Sequence, residues 1–350
     1  CSLADVDHSA TTWFMADFLP TASLAMLRLR AELLARVRQF FAERRFLEVE
    51  TPILSADVTV DRHLDPMSTV LADDARRPEI GRRLWLQTSP EFGMKRLLAA
   101  GAPAIYQVTR AFRNGEVGPL HNPEFTIVEW YRTGDDMQTG MSLLSEFCQA
   151  LLGAPVVERL CYAEAFQKHV GINPHLVGAA ELAAAAREKG INVSEGLGDD
   201  RDSWLNLLLA ECVEPHLGQS APTILYDYPA SQAALAKVRD EKLSVVGNLS
   251  APSTMKIAER FELYYRGVEL ANGYHELLDA AELRRRNSAA NAARATMGKP
   301  PLPEESRLLA AMEAGLPACT GVALGFDRLV MLAAGAKTLA EVIAFPIERA

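Results

Sequence analysis

The sequence predicts a single α+β domain with antiparallel strand pairing, and three observations carry that reading. Helical and strand periodicities both recur along the 350 residues, with apolar positions returning every three to four residues in some stretches and alternating in others. Residues 261–269, Phe-Glu-Leu-Tyr-Tyr-Arg-Gly-Val-Glu, read as two strands joined at Arg266-Gly267. A two-residue turn joins antiparallel neighbours. No internal repeat and no clean linker divides the chain, so residues 22–350 are expected to form one domain with helical insertions. The chain opens on Cys1 and its first methionine is Met15, and residues 1–21 are expected to be a disordered leader.

The elements follow in order. Residues 23–45, with Leu27, Leu34, Val37 and Phe41 among their apolar positions, read as a long amphipathic helix. It runs into a short strand at 46–52 that Pro52 stops. Strands are expected at 84–88, 104–112 and 124–132, and a helix at 90–100. Helices are expected at 141–152, 179–189 and 202–213, and strands at 223–227, 260–265, 268–275 and 321–326. Residues 239–253, with Gly247, Asn248 and Pro252, read as a surface loop. Residues 282–297 read as a helix with a basic face that serves as solvated surface.

Charge and cysteine usage narrow the function. A formal net charge of −9 and a pI near 5.4 argue against an extended nucleic-acid surface, which needs clustered Lys and Arg. Cys1, Cys148, Cys161, Cys212 and Cys319 are scattered, without a CxxC pair or a histidine cluster. Disulfide and zinc frameworks both fail on that spacing, which points to a reducing cytoplasm. No apolar run reaches the ~18–20 residues of a membrane span, and no secretory signal pattern is present.

Three segments carry chemistry. In Phe112-Arg113-Asn114-Gly115-Glu116 through His121-Asn122-Pro123-Glu124-Phe125 and on to Tyr131, strand, loop and strand form a hairpin with charged groups at its tip. Side chains alternate along a strand, so Phe125, Ile127, Glu129 and Tyr131 share a face, with Phe125 and Glu129 about 13 Å apart. Such a face can stack a flat ring at one end and hold a cation at the other, or it can be an ordinary half-buried hairpin. In the segment 261–269, Tyr264 faces Glu269 and Glu262 shares their side. Two carboxylates with no basic residue between them suit Mg²⁺, which is commonly held by one or two carboxylates plus substrate phosphates; the alternative is a solvated acidic edge. Asn272 and Glu276 are out of phase with Glu269, so a bulge near Gly273 is expected to bring both sets to one side. In the third segment, 321–328, Gly321, Ala323 and Gly325 alternate, leaving a bare strand face that a ligand or another backbone approaches. Arg328 follows at the start of a helix expected at 327–334, where anions are favoured.

Taken in order, Glu48–Pro52, Phe112–Tyr131 and Gly321–Arg328 resemble motifs one, two and three of the class II aminoacyl-tRNA synthetases, specifically the lysine branch. The resemblance runs from about residue 22 to the end. It implies an antiparallel sheet flanked by helices, a homodimer, and amino-acid activation with ATP and Mg²⁺. Carried over residue by residue, it implies that Arg113 meets the α-phosphate and that Phe125 and Arg328 sandwich adenine. His121 would touch the phosphate tail, with Asn114, Glu116, Asn122 and Gly325 completing the ATP site. Glu262 and Glu269 would hold Mg²⁺. Glu91, with Ser89 beside it, would bind the α-amino region of the substrate. Glu129, Tyr131 and Glu276 would bind the ε-ammonium of lysine, with Asn272 and Ala323 lining that pocket. Anionic carboxylates select a cationic substrate and penalise an anionic one.

The same resemblance bears on the acceptor. Lysyl-tRNA synthetases carry an N-terminal anticodon-reading domain, whereas about 45 residues precede motif one here, and Ala323 stands where they have glycine. Both features resemble members that attach (R)-β-lysine to a lysine side chain of translation elongation factor P, which disfavours tRNA as acceptor. A truncated lysyl-tRNA synthetase-like enzyme and a catalytically silent lysine-binding paralogue are the alternatives. Two departures concern ATP contacts. Gly115 follows Arg113-Asn114 where the family has Glu, and Pro119 and Leu120 fill the stretch that usually supplies a loop arginine.

Overall fold

The computed structural model describes residues 18–154, 156–191, 197–242 and 254–350. Ser23 caps the first helix by accepting the Met26 amide hydrogen, and α1 (Leu24–Glu43) buries Leu33, Val37, Phe40 and Phe41 along one face. Phe41 stacks on Tyr106 at 4.4 Å between ring centroids. After a left-handed turn at Arg45, β1 (Leu47–Glu48) pairs with β5 (Ala104–Phe112). Between them, β2 (Leu54–Ser55), β3 (Ser68–Ala72) and β4 (Gly81–Leu86) make a small sheet in the order β2-β4-β3, followed by α2 (Glu91–Ala99). β5 runs into β6 (Glu124–Thr133), then α3 (Met137–Leu152), β7 (Glu158–Cys161), α4 (Tyr162–His169), α5 (Ala179–Glu188) and α6 (Arg201–Leu208). The chain continues through β8 (Thr223–Pro229), β9 (Val238–Lys242), β10 (Thr254–Tyr265) and β11 (Val268–His275). It ends with α7 (Ala280–Thr296), α8 (Arg307–Gly315), β12 (Cys319–Gly325) and α9 (Phe326–Ala334).

The large sheet has the order β1-β5-β6-β12-β11-β10-β8-β7, with β9 pairing alongside β10. Its centre is antiparallel, as the sequence predicts, but both edges are parallel: β1 with β5 and β7 with β8. One face is sealed by α1, α3 and α9 through Val37, Phe41, Leu144, Phe147 and Val330, against Trp130, Phe261 and Val322 of the strands. The other face carries two separate clusters. One joins α4, α5 and α6 to β8 through Phe166, Leu182, Leu205 and Tyr228. The other joins α2 and α8 to β5 and β6 through Met94, Leu309, Ile105 and Tyr131. Polar side chains of the central strands lie between these clusters.

Several expectations change. The strand expected at 46–52 shrinks to Leu47–Glu48, with one more contact to β5 where the Val49 amide donates to the Tyr106 carbonyl at 2.9 Å. The helix expected at 202–213 becomes α6 followed by a π-helical turn at Leu209–Val213. Of the loop expected at 239–253, Arg239–Lys242 belongs to β9, paired with the start of β10, and 243–253 lie outside the described residues. So do residues 1–17 of the expected leader; Thr21 is tied to the C-terminal segment by its amide donating to the Ala344 carbonyl at 2.9 Å. The basic face of α7 is neutralised at the surface, with Arg284 on Glu305 and Glu313, and Arg285 and Arg286 on Glu282. No helix among the described residues is long and apolar enough to cross a membrane.

Candidate active site

Register makes the site. Arg266 and Gly267 both adopt positive φ, 51° and 73°, the pair of left-handed residues that a two-residue hairpin turn needs. Tyr264 therefore pairs with Glu269, as the sequence predicts. One residue further, the register slips: Leu263 pairs with Ala271 and Glu262 with Asn272. The extra residue is Leu270, so the bulge sits three positions before Gly273, where it was expected. Its effect is the expected one, because Glu269, Asn272 and Glu276 now share a face with Glu262. Gly273 is needed for a different reason, since a Cβ there would lie 2.4 Å from the Phe261 ring on the core side. Onward pairing of Asn272 with Ala323 and of Ala323 with Glu129 completes a row across β10, β11, β12 and β6.

At the β6 end of this row the side chains form a closed, acidic chamber. Glu129 is 1% exposed and accepts hydrogen bonds from Ser89 Oγ at 2.7 Å and Tyr131 Oη at 2.7 Å. Ser89 also accepts the Glu91 amide hydrogen at 3.1 Å, fixing the start of α2 over the sheet. Glu276 enters from the end of β11, and Gly321 makes the room: a Cβ there would stand 2.2 Å from Tyr131 Cε1 and 2.4 Å from Glu276 Oε1. The bare face at Gly321 is thus filled by the protein's own side chains, while Ala323 and Gly325 stay partly open. Sequence reasoning missed Lys95, whose Nζ lies 2.5 Å from Glu91 Oε1 and 2.5 Å from Glu276 Oε2. Its only signal was the Glu91/Lys95 spacing of four, which on a helix reads as an ordinary surface pair.

Electrostatics in the chamber follow from that packing. Burial, then the Glu91 charge, pushes the Glu129 carboxyl up to about 7. Burial pushes Glu276 up to about 8 against the pull of Lys95. Burial works to lower the Lys95 ammonium, but the Glu276 and Glu91 charges outweigh it and hold the proton on. Burial and the Glu129 charge keep the Tyr131 hydroxyl protonated. Asn272 Oδ1 is buried without a hydrogen-bond partner, as is expected of a group aimed at a ligand.

The opposite end is basic and partly open. Asp327 opens α9, accepting the Thr126 amide hydrogen at 2.9 Å and pairing with Arg30 at 2.6 Å. This anchors the helix so that Arg328 turns into the cleft. Arg328 donates to the Leu120 carbonyl at 3.1 Å and the Glu269 carbonyl at 2.9 Å, and its Nη2 meets His121 Nε2 at 2.8 Å. Burial and the Arg328 charge lower the His121 pKa, which leaves a neutral ring facing the guanidinium. Arg113 lies over the Phe125 ring at 5.0 Å and pairs loosely with Glu116 at 3.7 Å. Arg328, expected to sandwich adenine with Phe125, stands across the cleft on His121. Gly115 has φ of 80°, a left-handed conformation that would strain the glutamate of the Arg-Asn-Glu pattern and that glycine takes freely. Asn114 is exposed. Asn122 has both amide atoms engaged, donating to the Glu124 carbonyl and accepting from the Ile347 amide, and it ties the hairpin to the C-terminal segment.

Glu262 corrects one expectation. Arg260, two residues before it on the same strand face, forms an ion pair with it, so the acidic pair does have a basic neighbour. Glu262 also accepts from Tyr228 and Tyr264. Glu269 is 42% exposed to the cleft, and its carboxyl is raised by the enclosing walls and the Glu262 charge. A third carboxylate, Glu214, stands behind Tyr264 at 3.2 Å. Burial, then Glu262 and Glu269, pushes it up to about 7. Nothing in the sequence pattern ties residue 214 to 262; only the fold does.

A sheet centre bounded by an arginine-bearing hairpin, a carboxylate pair and a small-residue strand leading into an arginine helix defines a nucleotide-and-amino-acid cleft of the synthetase type. The chain belongs to the family described as tRNA synthetases class II (D, K and N), whose model matches residues 12–349. It is similar to the elongation factor P–(R)-β-lysine ligases of Salmonella paratyphi B (strain ATCC BAA-1250 / SPB7) and Salmonella schwarzengrund (strain CVM19633). Each is 45% identical over 335 residues, covering 96% of this chain and 99% of the relative.

Proposed function

We propose that the protein activates (R)-β-lysine or lysine with ATP and transfers it to a lysine side chain of translation elongation factor P. One observation carries the reading: a closed acidic chamber and an arginine-lined opening lie on one sheet face, joined by the row Glu129, Ala323, Asn272 and Glu262. Glu129, Tyr131 and Glu276 receive the side-chain ammonium, Glu91 and Ser89 the other amine, and Asn272 and Ala323 line the space between. Phe125 stacks adenine once Arg113 swings from its ring to the α-phosphate. Arg328 and His121 receive the phosphate tail beside Gly325 and the loop residues Asn114, Glu116 and Asn122.

The chemistry needs no protein nucleophile. A carboxylate oxygen of the amino acid attacks the α-phosphorus of ATP, the bond to the β-phosphate breaks, and pyrophosphate leaves. The neutral amine of the acceptor lysine then attacks the acyl carbon, the bond to the phosphate oxygen breaks, AMP leaves and the amine sheds a proton. Arg113 and Arg328 oppose the charge that develops on phosphate, and the closed chamber holds the carboxylate in line. Glu269, raised by burial of its carboxyl and then by the Glu262 charge, fits a divalent cation; with Glu262 it would hold Mg²⁺, which screens the triphosphate when bound.

The reading brings with it a cytoplasmic homodimer in which residues 22–350 act as one catalytic unit. Support for the dimer is a pair of exposed leucines on two short strands, Leu47 of β1 at 60% and Leu54 of β2 at 42%. Amino-acid-dependent pyrophosphate exchange tests activation, and intact mass of purified elongation factor P tests transfer. Mass gain on tRNA instead of the factor defeats the proposed acceptor, and no exchange with either amino acid leaves a binding role.

A further inference from the structure

The acidic chamber contains a cation of its own. Lys95 is 1% exposed, and its ammonium touches both Glu91 and Glu276. Taking an ammonium out of water costs several kcal/mol even when it is paired. A methionine of similar length would fill the same volume without that cost, so packing alone gives no reason for the charge. The charge acts on the carboxylates: Lys95 opposes the upward shifts of both Glu129 and Glu276. The other titratable groups facing them are Tyr131 from β6, Tyr274 from β11 and Cys319 from β12, each raised by burial and so uncharged.

We propose that Lys95 is a positioning and specificity residue that cancels one of the three carboxylates Glu91, Glu129 and Glu276, so that the remaining two are matched by the two ammonium groups of a bound substrate. The inference rests on the lysine-activating reading above. Lysine and β-lysine both carry two ammonium groups besides the carboxylate that turns toward the nucleotide. An amino acid with a single ammonium leaves one buried carboxylate uncompensated, which costs several kcal/mol or forces a proton onto it. Without Lys95, three carboxylates crowd one enclosed space. Loss of the Lys95 charge then raises the Glu276 carboxyl further, so it meets the substrate amine in its charged form less often.

The test is pyrophosphate exchange by the intact protein with lysine and (R)-β-lysine at pH 7 and pH 9, for the wild type, Lys95→Met and Lys95→Arg. In Lys95→Met the amino-acid KM is expected to rise about tenfold or more at pH 7, the equivalent of one pKa unit on Glu276. The ATP KM stays within about twofold, and the deficit shrinks at pH 9, where a larger share of Glu276 is ionised in the variant. Lys95→Arg keeps the charge and recovers most of the loss. An amino-acid KM in Lys95→Met equal to that of the wild type overturns the inference. So does an equal loss for ATP and amino acid at both pH values, which a merely structural lysine would give. A readout on the wild type alone guards against misfolding of the variant: norleucine and 6-aminohexanoate, with one ammonium each, should compete with lysine about a hundredfold more weakly than lysine itself. Comparable competition by either also overturns it. Absence of exchange by the wild type marks failure of the lysine reading itself, which is distinct from a wild type that exchanges and a Lys95→Met that matches it.

Discussion

Glu129→Gln should make the protein more stable and its amino-acid binding weaker. Glu129 is buried, receives its two hydrogen bonds from neutral hydroxyls and titrates near 7, whereas an unfolded glutamate titrates near 4.3. A carboxyl raised on folding binds more protons in the native state, so its ionisation opposes folding as pH rises above the unfolded value, and the penalty levels off above the folded one. At 1.36 kcal/mol per unit, discounted for coupling to Glu91 and Lys95, the penalty is ~1–3 kcal/mol at pH 8 and near zero at pH 4.5. A glutamine keeps a carbonyl for one hydroxyl, lets the other rotate, and carries no charge to desolvate. The ammonium of the substrate, however, loses a charge-assisted hydrogen bond worth about 1.5–3 kcal/mol, a rise of roughly 10- to 150-fold in amino-acid KM. Urea unfolding of both proteins at pH 5 and pH 8, with exchange kinetics on the same samples, measures both effects. A variant less stable than the wild type at pH 8, or one with unchanged amino-acid KM, refutes the reasoning.

Three further outcomes are expected. Arg328→Ala removes the guanidinium that links the Leu120 and Glu269 carbonyls to His121, and exchange should fall by about 10²–10³ with the ATP KM raised more than the amino-acid KM; steady-state exchange at varied ATP checks it. Gly321→Ala places a methyl against Tyr131 and Glu276, so the amino-acid KM should rise about tenfold or more, at the usual overpacking cost of ~1–3 kcal/mol, while ATP binding measured by calorimetry holds. Phe41→Ala empties the centre of the α1 core beside Tyr106, Trp130 and Phe147; it should lower stability by about 3–5 kcal/mol in urea titrations and leave the amino-acid KM of the folded fraction unchanged.

The sequence by itself determined what depends on local chemistry and strict spacing. Alternation along 124–133 put Phe125, Glu129 and Tyr131 on one face, and the Arg266-Gly267 turn fixed Tyr264 opposite Glu269; a period of two and a two-residue loop leave no freedom in either. The family motifs added the order of the segments, and with it the architecture.

Tertiary structure decided what depends on residues distant in sequence. The bulge at Leu270, rather than at Gly273, follows from the pairing of β11 with β10, which no single strand encodes. Lys95 looked like half of a helix-surface pair until α2 docked over Glu276, about 180 residues away in the sequence, and Glu214 joined the carboxylates only through Tyr264. Arg260 likewise gained its meaning from the strand face it shares with Glu262. Burial is the physical reason: a charge is cheap in water and costly in a closed chamber, and only the fold sets which charges are enclosed together.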